Sequence, residues 1–178
     1  NIDNIFGLNR IGTNDDIEGG ASFTIGNEFL IKNKNDVDIF AFDFGTVFRE
    51  NQNKNLPNNN TLRNSQSDIV GSLFLDTTKN WNIDYNFSLD NDLSTSNLHQ
   101  LKNTFKVNNF IHTFEFYEEN YSLGDNSYYA NTIAYEANKN NFFSYRTRRN
   151  NKTNLTEFYN LIYEYKNDCL VASINYNK

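Results

Sequence analysis

The chain carries no methionine, one proline, one cysteine and only 8 glycines among its 178 residues. Without methionine, residue 1 does not read as a native start, and the sequence is expected to be a segment of something longer. A lone Cys169 cannot close a disulfide within the chain, so any partner thiol is elsewhere. No apolar run approaches the ~18 residues that a transmembrane helix needs, and no charged, apolar, small-residue leader opens the sequence. Together these exclude a helical membrane protein. Positive charge is scarce too: 16 Lys and Arg against 22 Asp and Glu leave a formal charge of −6, the wrong sign for a nucleic-acid surface.

Aromatic rings, by contrast, are plentiful. They make up 16% of the chain although only 38% of it is hydrophobic and the mean hydropathy is −0.73. Low hydropathy with few rings would suit a disordered segment, whereas many rings and a single proline favour strands. About a fifth of the residues are asparagine. With abundant Ile, Lys and Phe this matches AT-rich codon usage, so asparagine alone, including the sequon Asn86-Phe87-Ser88, carries no argument here.

The stretch from Asn80 to Asp90, NWNIDYNFSLD, places Trp81, Ile83, Tyr85, Phe87 and Leu89 on one parity and polar side chains on the other. This is the pattern of a strand with one apolar and one wet face. It recurs along the chain. Ala21, Phe23, Ile25, Phe29 and Ile31 share a parity, as do Phe40, Phe42, Phe44 and Phe48, and then Ile69, Gly71, Leu73 and Leu75. A weaker run through Leu101, Phe105 and Val107 leads to Phe110, Phe114 and Phe116, to Tyr129, Ile133 and Tyr135, and to Phe143 and Tyr145. Leu155, Tyr159, Leu161, Tyr163 and Tyr165 follow, then Leu170, Ala172, Ile174 and Tyr176. The sequence therefore predicts an all-β antiparallel meander of about ten long strands with no helical interval.

Two media could receive the apolar face, a protein core or membrane hydrocarbon. Sandwich strands run ~5–6 residues and tilted membrane strands ~9–11, and most runs here fall in the longer class. Connections also alternate. Those at 33–35, 77–79, 108–109, 138–140 and 167–168 are short, and those at 10–20, 51–66, 91–96, 122–127 and 150–152 are mostly longer. Outer-membrane barrels sort their turns and loops in this way, and Greek-key sandwiches have no reason to. On this reading the odd positions of NWNIDYNFSLD touch lipid, while Asn82, Asp84, Asn86 and Ser88 line a watery lumen. A strip of about ten strands from a larger barrel would have two edges awaiting further strands.

No catalytic, cofactor-binding or metal-binding residue stands out. His99 and His112 fall on different strands, without a further ligand at metal spacing. No serine sits in a Gly-x-Ser-x-Gly elbow, and Glu118 and Glu119 point to opposite faces of one strand. Arg146, Arg148 and Arg149, the one tight basic cluster, read as the end of a strand flanking a loop. An enzyme is not expected.

Two segments go beyond general barrel pattern. The segment Asn4 to Gly20, NIFGLNRIGTNDDIEGG, resembles the LPS-assembly protein family LptD at the place where an Asn-Arg pair precedes a loop ending in Asp, a variable residue, Ile, Glu and Gly. Asn9, Arg10, Asp15, Ile17, Glu18 and Gly19 match, and Asp16 departs from the basic residue that the family commonly has. Ser67-Asp68-Ile69-Val70-Gly71 is similar to the family's motif opening a strand after a long loop. Glu164-Tyr165-Lys166-Asn167-Asp168-Cys169 is similar to its turn before a cysteine, although Leu170 stands where some members have a second cysteine.

The resemblance spans roughly Asn4 to Lys178. It implies that residues 1–178 form part of one LptD-like barrel domain, its C-terminal portion, incomplete at both ends. It further implies an outer-membrane location and a translocon that delivers lipopolysaccharide to the outer leaflet. Its partners would be lipopolysaccharide, outer-membrane lipid, an LptE-like lipoprotein plug and an LptA-like periplasmic bridge, with no cofactor. The cysteine turn would be periplasmic, with Cys169 pairing to the N-terminal periplasmic domain, and an ion pair from Arg10 to Glu18 or Asp15 would order the first loop. A porin or uptake channel, sharing strands and loop parity, is the alternative.

Overall fold

The computed structural model describes residues 5–6, 20–56, 60–78, 80–121 and 124–178. Ten strands follow one another: β1 (Ser22–Lys32), β2 (Asp38–Arg49), β3 (Ile69–Thr78), β4 (Trp81–Leu89), β5 (Ser96–Val107), β6 (Phe110–Tyr121), β7 (Gly124–Asn138), β8 (Asn141–Asn150), β9 (Thr156–Lys166) and β10 (Val171–Asn177). Each pairs antiparallel with the next, in the order β1 to β10, forming one sheet that is not closed, as expected for part of a barrel.

The two-residue period sorts the side chains onto two faces. On one face rings meet across the strands: Phe23 stacks on Phe48 at 5.2 Å, while Phe110 and Tyr135 at 4.5 Å and Phe143 and Tyr163 at 4.9 Å between centroids are tilted pairs. Cross-strand aromatic pairs of this kind fix register as well as adding stability. The same face is also the uncovered one. Phe23 is 58% exposed, Phe29 53% and Ile174 70%. Each large apolar side chain left in water forgoes ~1.5–3 kcal/mol. No second layer covers this face among the described residues, whose buried hydrophobics are Ile5, Val47, Leu56, Ala130 and Ala134, with Val47, Ala130 and Ala134 on the opposite face of the sheet. A soluble sandwich buries its rings, and this sheet does the opposite.

Three details differ from, or add to, the sequence reading. The weak run in β5 is a full strand of 12 residues whose apolar face carries Asn103 and His99. Both are satisfied by aromatic neighbours on β4: Trp81 Nε1 donates to Asn103 Oδ1 at 2.8 Å, and the Tyr85 hydroxyl meets His99 Nδ1 at 2.6 Å. Secondly, within the stretch 122–127, expected as a longer loop, residues 124–127 are strand. β6 runs to Tyr121 and β7 starts at Gly124 because the ladder continues through Glu119 opposite Asn126, with Tyr117 and Tyr128 stacked at 5.3 Å.

The third concerns asparagine, set aside above as codon bias. At three of the tight turns its side chain closes the loop. Asn33 Oδ1 accepts from the backbone N–H groups of Asn35 and Val37, Asn138 Oδ1 from that of Asn140, and Asn167 Oδ1 from those of Cys169 and Leu170. A short amide that can accept from its own backbone two residues on is suited to such turns. At the opposite end of the sheet the β2–β3 connection folds back over the polar face. There Leu62, from a single 3₁₀ turn at Thr61–Arg63, and Val70 pack against Ile5 and Val47.

Candidate functional site: the polar face

Directly paired positions line up into rows that cross the sheet. One row runs Asp76, Asn82, Thr104, Thr113, Thr132, Arg146, Asn160 and Asn177. It crosses eight strands, β3 to β10, and every member is polar. A second runs Glu28, Asp43, Ser72, Asn86, Gln100, Tyr117, Tyr128 and Asn150, from β1 to β8. Asn82, Asp84, Asn86 and Ser88 thus share the face opposite Trp81, Ile83, Tyr85 and Phe87. Sequence parity had singled out these four on β4. It missed their partners on the other strands, although the same parity count applied to β5–β9 identifies them.

Side chains on this face hold one another. The Ser72 hydroxyl donates to Asp43 at 2.9 Å, and Thr104 and Thr113 hydroxyls meet at 3.3 Å. Further along, Arg146 Nη2 donates to Glu115 Oε2 at 2.7 Å, reaching across β7. Ala130, fully buried and directly paired with both Glu115 and Arg148, leaves room for that reach. Arg148 Nε donates to Glu157, whose other oxygen accepts from Asn150 Nδ2 at 3.1 Å. The Arg148 guanidinium also lies over the Tyr128 ring at 4.7 Å and the Phe158 ring at 5.4 Å. A concavity of about 580 Å³ opens here, lined by Thr132, Ser144, Arg146, Glu157, Phe158 and Asn160 among others. Arg146, Arg148 and Arg149 do end a strand that flanks a loop, as expected. Two of them, however, belong to the polar face, because 146 and 148 share its parity in β8.

The Ser67-Asp68-Ile69-Val70-Gly71 segment is a latch across four strands. Ser67 Oγ accepts from the Val47 backbone N–H at 3.0 Å and donates to the Asp68 carbonyl at 2.9 Å. Asp68 Oδ2 accepts from Ser88 Oγ of β4 at 2.7 Å and from Asn97 Nδ2 of β5 at 2.8 Å. Just ahead of β3 and 3% exposed, Asp68 has its carboxyl lifted above the ordinary range by burial, against the lowering from Asn97 and Ser88. Val70 lies on the polar face and Gly71 on the apolar one. A Cβ on Gly71 would come 2.4 Å from Phe87 Cζ and 2.5 Å from the Asp43 carbonyl oxygen. The glycine is thus a seat for the Phe87 ring.

Cys169 is exposed and free, in the β9–β10 turn. His99 and His112 belong to β5 and β6 on the apolar face, bonded to Tyr85 and Asn131. The first-loop residues Asn9, Arg10, Asp15, Glu18 and Gly19, with the ion pair expected among them, lie outside the described residues. The two faces place no group of three or more His, Cys, Asp or Glu together for a metal among the described residues.

Compared with known proteins, residues 1–121 match the family described as LptD, LPS transport system D. No curated protein matches the chain. The matched part ends with β6, and β7 to β10 extend the same sheet without a break.

Proposed function

The chain belongs to the LPS transport system D family, whose members are transport and assembly components associated with the outer membrane, not enzymes, and from that premise we propose that it forms part of the wall of a lipopolysaccharide translocon. One observation carries the reading: a single sheet with an exposed aromatic face and rows of unbroken polarity on the other. Hydrocarbon suits the first face and a water-filled lumen the second. In this wall the saccharide moves along the polar rows, and acyl chains stay with lipid. Sequential strands leave β1 and β10 available for pairing with the remaining strands of a larger barrel.

Insertion of lipopolysaccharide into the outer leaflet, an LptE-like lipoprotein within the lumen and an LptA-like bridge on the periplasmic side complete the proposal. So does a disulfide from Cys169 to a cysteine of the periplasmic domain, supported by the exposure of that turn. Asn82, Asp84, Asn86 and Ser88 are the proposed lumen residues of β4.

The test is a spin-label scan of the full-length protein in lipid vesicles. Labels at Phe29, Tyr85 and Phe114 are expected to be relaxed by oxygen dissolved in lipid, and labels at Asn86, Thr113 and Asn160 by a water-soluble nickel chelate. The reverse pattern, or equal response at all six, refutes the two-faced wall. Depletion of the protein should stop lipopolysaccharide reaching the cell surface. Free passage of small sugars with normal lipopolysaccharide delivery would instead favour a porin.

A further inference from the structure

The apolar face is not equally tall along the sheet. On β4 apolar side chains hold every position of that face from Trp81 to Leu89, and β2 has a ring at both ends of the same span, Phe40 and Phe48. On β6 the apolar run starts at the first residue, Phe110, and ends at Phe116, because the next position on that face is Glu118. The residues directly paired with Glu118 are His99 on β5 and Ser127 on β7, and on β8 the face passes from Thr147 to Arg149. At ~3.4 Å per residue and a tilt of ~40°, Trp81 to Leu89 covers ~21 Å of depth and Phe110 to Phe116 only ~16 Å, against an apolar band of ~25 Å in outer-membrane barrels. Polar groups also interrupt the shorter stretch. Asn103 on β5 accepts the Trp81 indole N–H at 2.8 Å, and His112 Nε2 meets Asn131 Oδ1 at 3.3 Å. Polarity on a lipid face costs less the nearer it lies to the interface.

The shortfall is one-sided. At the short-turn end β5 finishes on Val107 and β6 starts on Phe110, so apolar surface reaches the turn itself. At the loop end it is cut back by Glu118 and Arg149. The β8–β9 turn lies over this margin, with Asn154 accepting from the Arg149 guanidinium and Asn151 Nδ2 donating to Ser127 Oγ at 3.0 Å. From this geometry we infer that the lipid-facing side of β5–β8 is a contact surface for outer-leaflet headgroups drawn about 5 Å below the depth they keep beside β4, so that the bilayer is locally thin there. A guanidinium and a carboxylate find partners among phosphates, hydroxyls and counter-cations of a headgroup layer, and none among acyl chains. Thinning of the bilayer is an ordinary response to an apolar band shorter than the hydrocarbon. The inference rests on the outer-membrane wall reading above and adds which flank of that wall compresses the outer leaflet.

The experiment uses the full-length protein refolded into vesicles of phosphatidylethanolamine and phosphatidylglycerol, with single spin labels at Phe87 on β4 and Phe116 on β6, each the fourth position on the apolar face from its short turn. Depth is read from the ratio of relaxation by dissolved oxygen to relaxation by a water-soluble nickel chelate. The Phe116 label is expected about 5 Å nearer the headgroups than the Phe87 label, level with a label at Leu89. Labels at Phe110 and Trp81, by contrast, should lie at one depth, which separates thinning from a strand that is merely raised. In the double variant Glu118→Leu, Arg149→Leu the Phe116 label should sink to the depth of Phe87, and the unsubstituted protein decides the matter by its four depths if that variant does not fold. Equal depths at Phe87 and Phe116, a Phe110 label deeper than Trp81 by the same ~5 Å, or a folded double variant with Phe116 unmoved overturns the inference and leaves the wall reading standing. Stronger relaxation by nickel than by oxygen at both Phe87 and Phe116 refutes the wall reading itself.

Discussion

Replacing Gly71 with alanine puts a methyl group 2.4 Å from Phe87 Cζ, 2.7 Å from Phe87 Cε1 and 2.5 Å from the Asp43 carbonyl oxygen. The ring can swing away, but the carbonyl belongs to the β2 backbone and cannot. Overfilling a tight site costs ~1–3 kcal/mol. Phe87 stacks with Phe42 at 6.5 Å and Tyr85 at 5.8 Å between centroids, and displacing it forfeits a further ~0.5–1.5 kcal/mol. Gly71→Ala is thus expected to destabilise by about 2–4 kcal/mol. Urea unfolding of the full-length protein refolded into lipid vesicles measures it. The double variant with Phe87→Leu separates the two contacts. Leucine vacates the ring volume, so the pair should cost less than the sum of the singles, by about 1 kcal/mol, with the carbonyl share remaining. A harmless Gly71→Ala, or strict additivity of the two changes, would refute the seat as the reason for glycine.

Asp68→Ala removes the acceptor of Ser88 and Asn97 and should cost about 2–3 kcal/mol, with Ser88 left buried, whereas Asp68→Asn keeps an oxygen for both donors and should cost much less. Because burial raises the Asp68 carboxyl, its contribution is complete below the unfolded value near 3.8 and is lost as pH rises through the raised folded value. The stability of the native protein relative to Asp68→Asn should therefore fall from acid toward neutral pH, and a rise measured by urea midpoints would contradict this. Ala130→Leu, at a fully buried position, should cost ~1–3 kcal/mol and break the Arg146–Glu115 pair, and a double-mutant cycle on those two charges would then show no coupling. In the intact cell Cys169 should resist maleimide until a reductant is added, and labelling beforehand would exclude the proposed disulfide.

Much of the architecture was legible because strand periodicity is a local property. A side chain two residues on returns to the same face, so Trp81, Ile83, Tyr85 and Phe87 declare one surface, and Asn82, Asp84 and Asn86 the other, with no knowledge of neighbours. Strand count, hairpin pairing and the short turns followed from the same count and from turn residues. β5 was faint because Asn103 and His99 interrupt its apolar parity, and only their bonds to Trp81 and Tyr85 on the next strand explain why those positions tolerate polarity.

Register is the part that no single strand contains. Which threonine faces which arginine depends on pairing between strands, so the polar row from Asp76 to Asn177 and the reach of Arg146 over Ala130 to Glu115 appear only once the sheet is assembled. The Ser-Asp-Ile-Val-Gly segment could be noticed as a motif. Its work as a latch requires Val47, Ser88 and Asn97, brought beside it by β2, β4 and β5. The sequence by itself determined two faces and their chemistry, since alternation is written in neighbouring residues. Tertiary structure decided which groups meet on those faces, because hydrogen-bonded register joins side chains far apart along the chain.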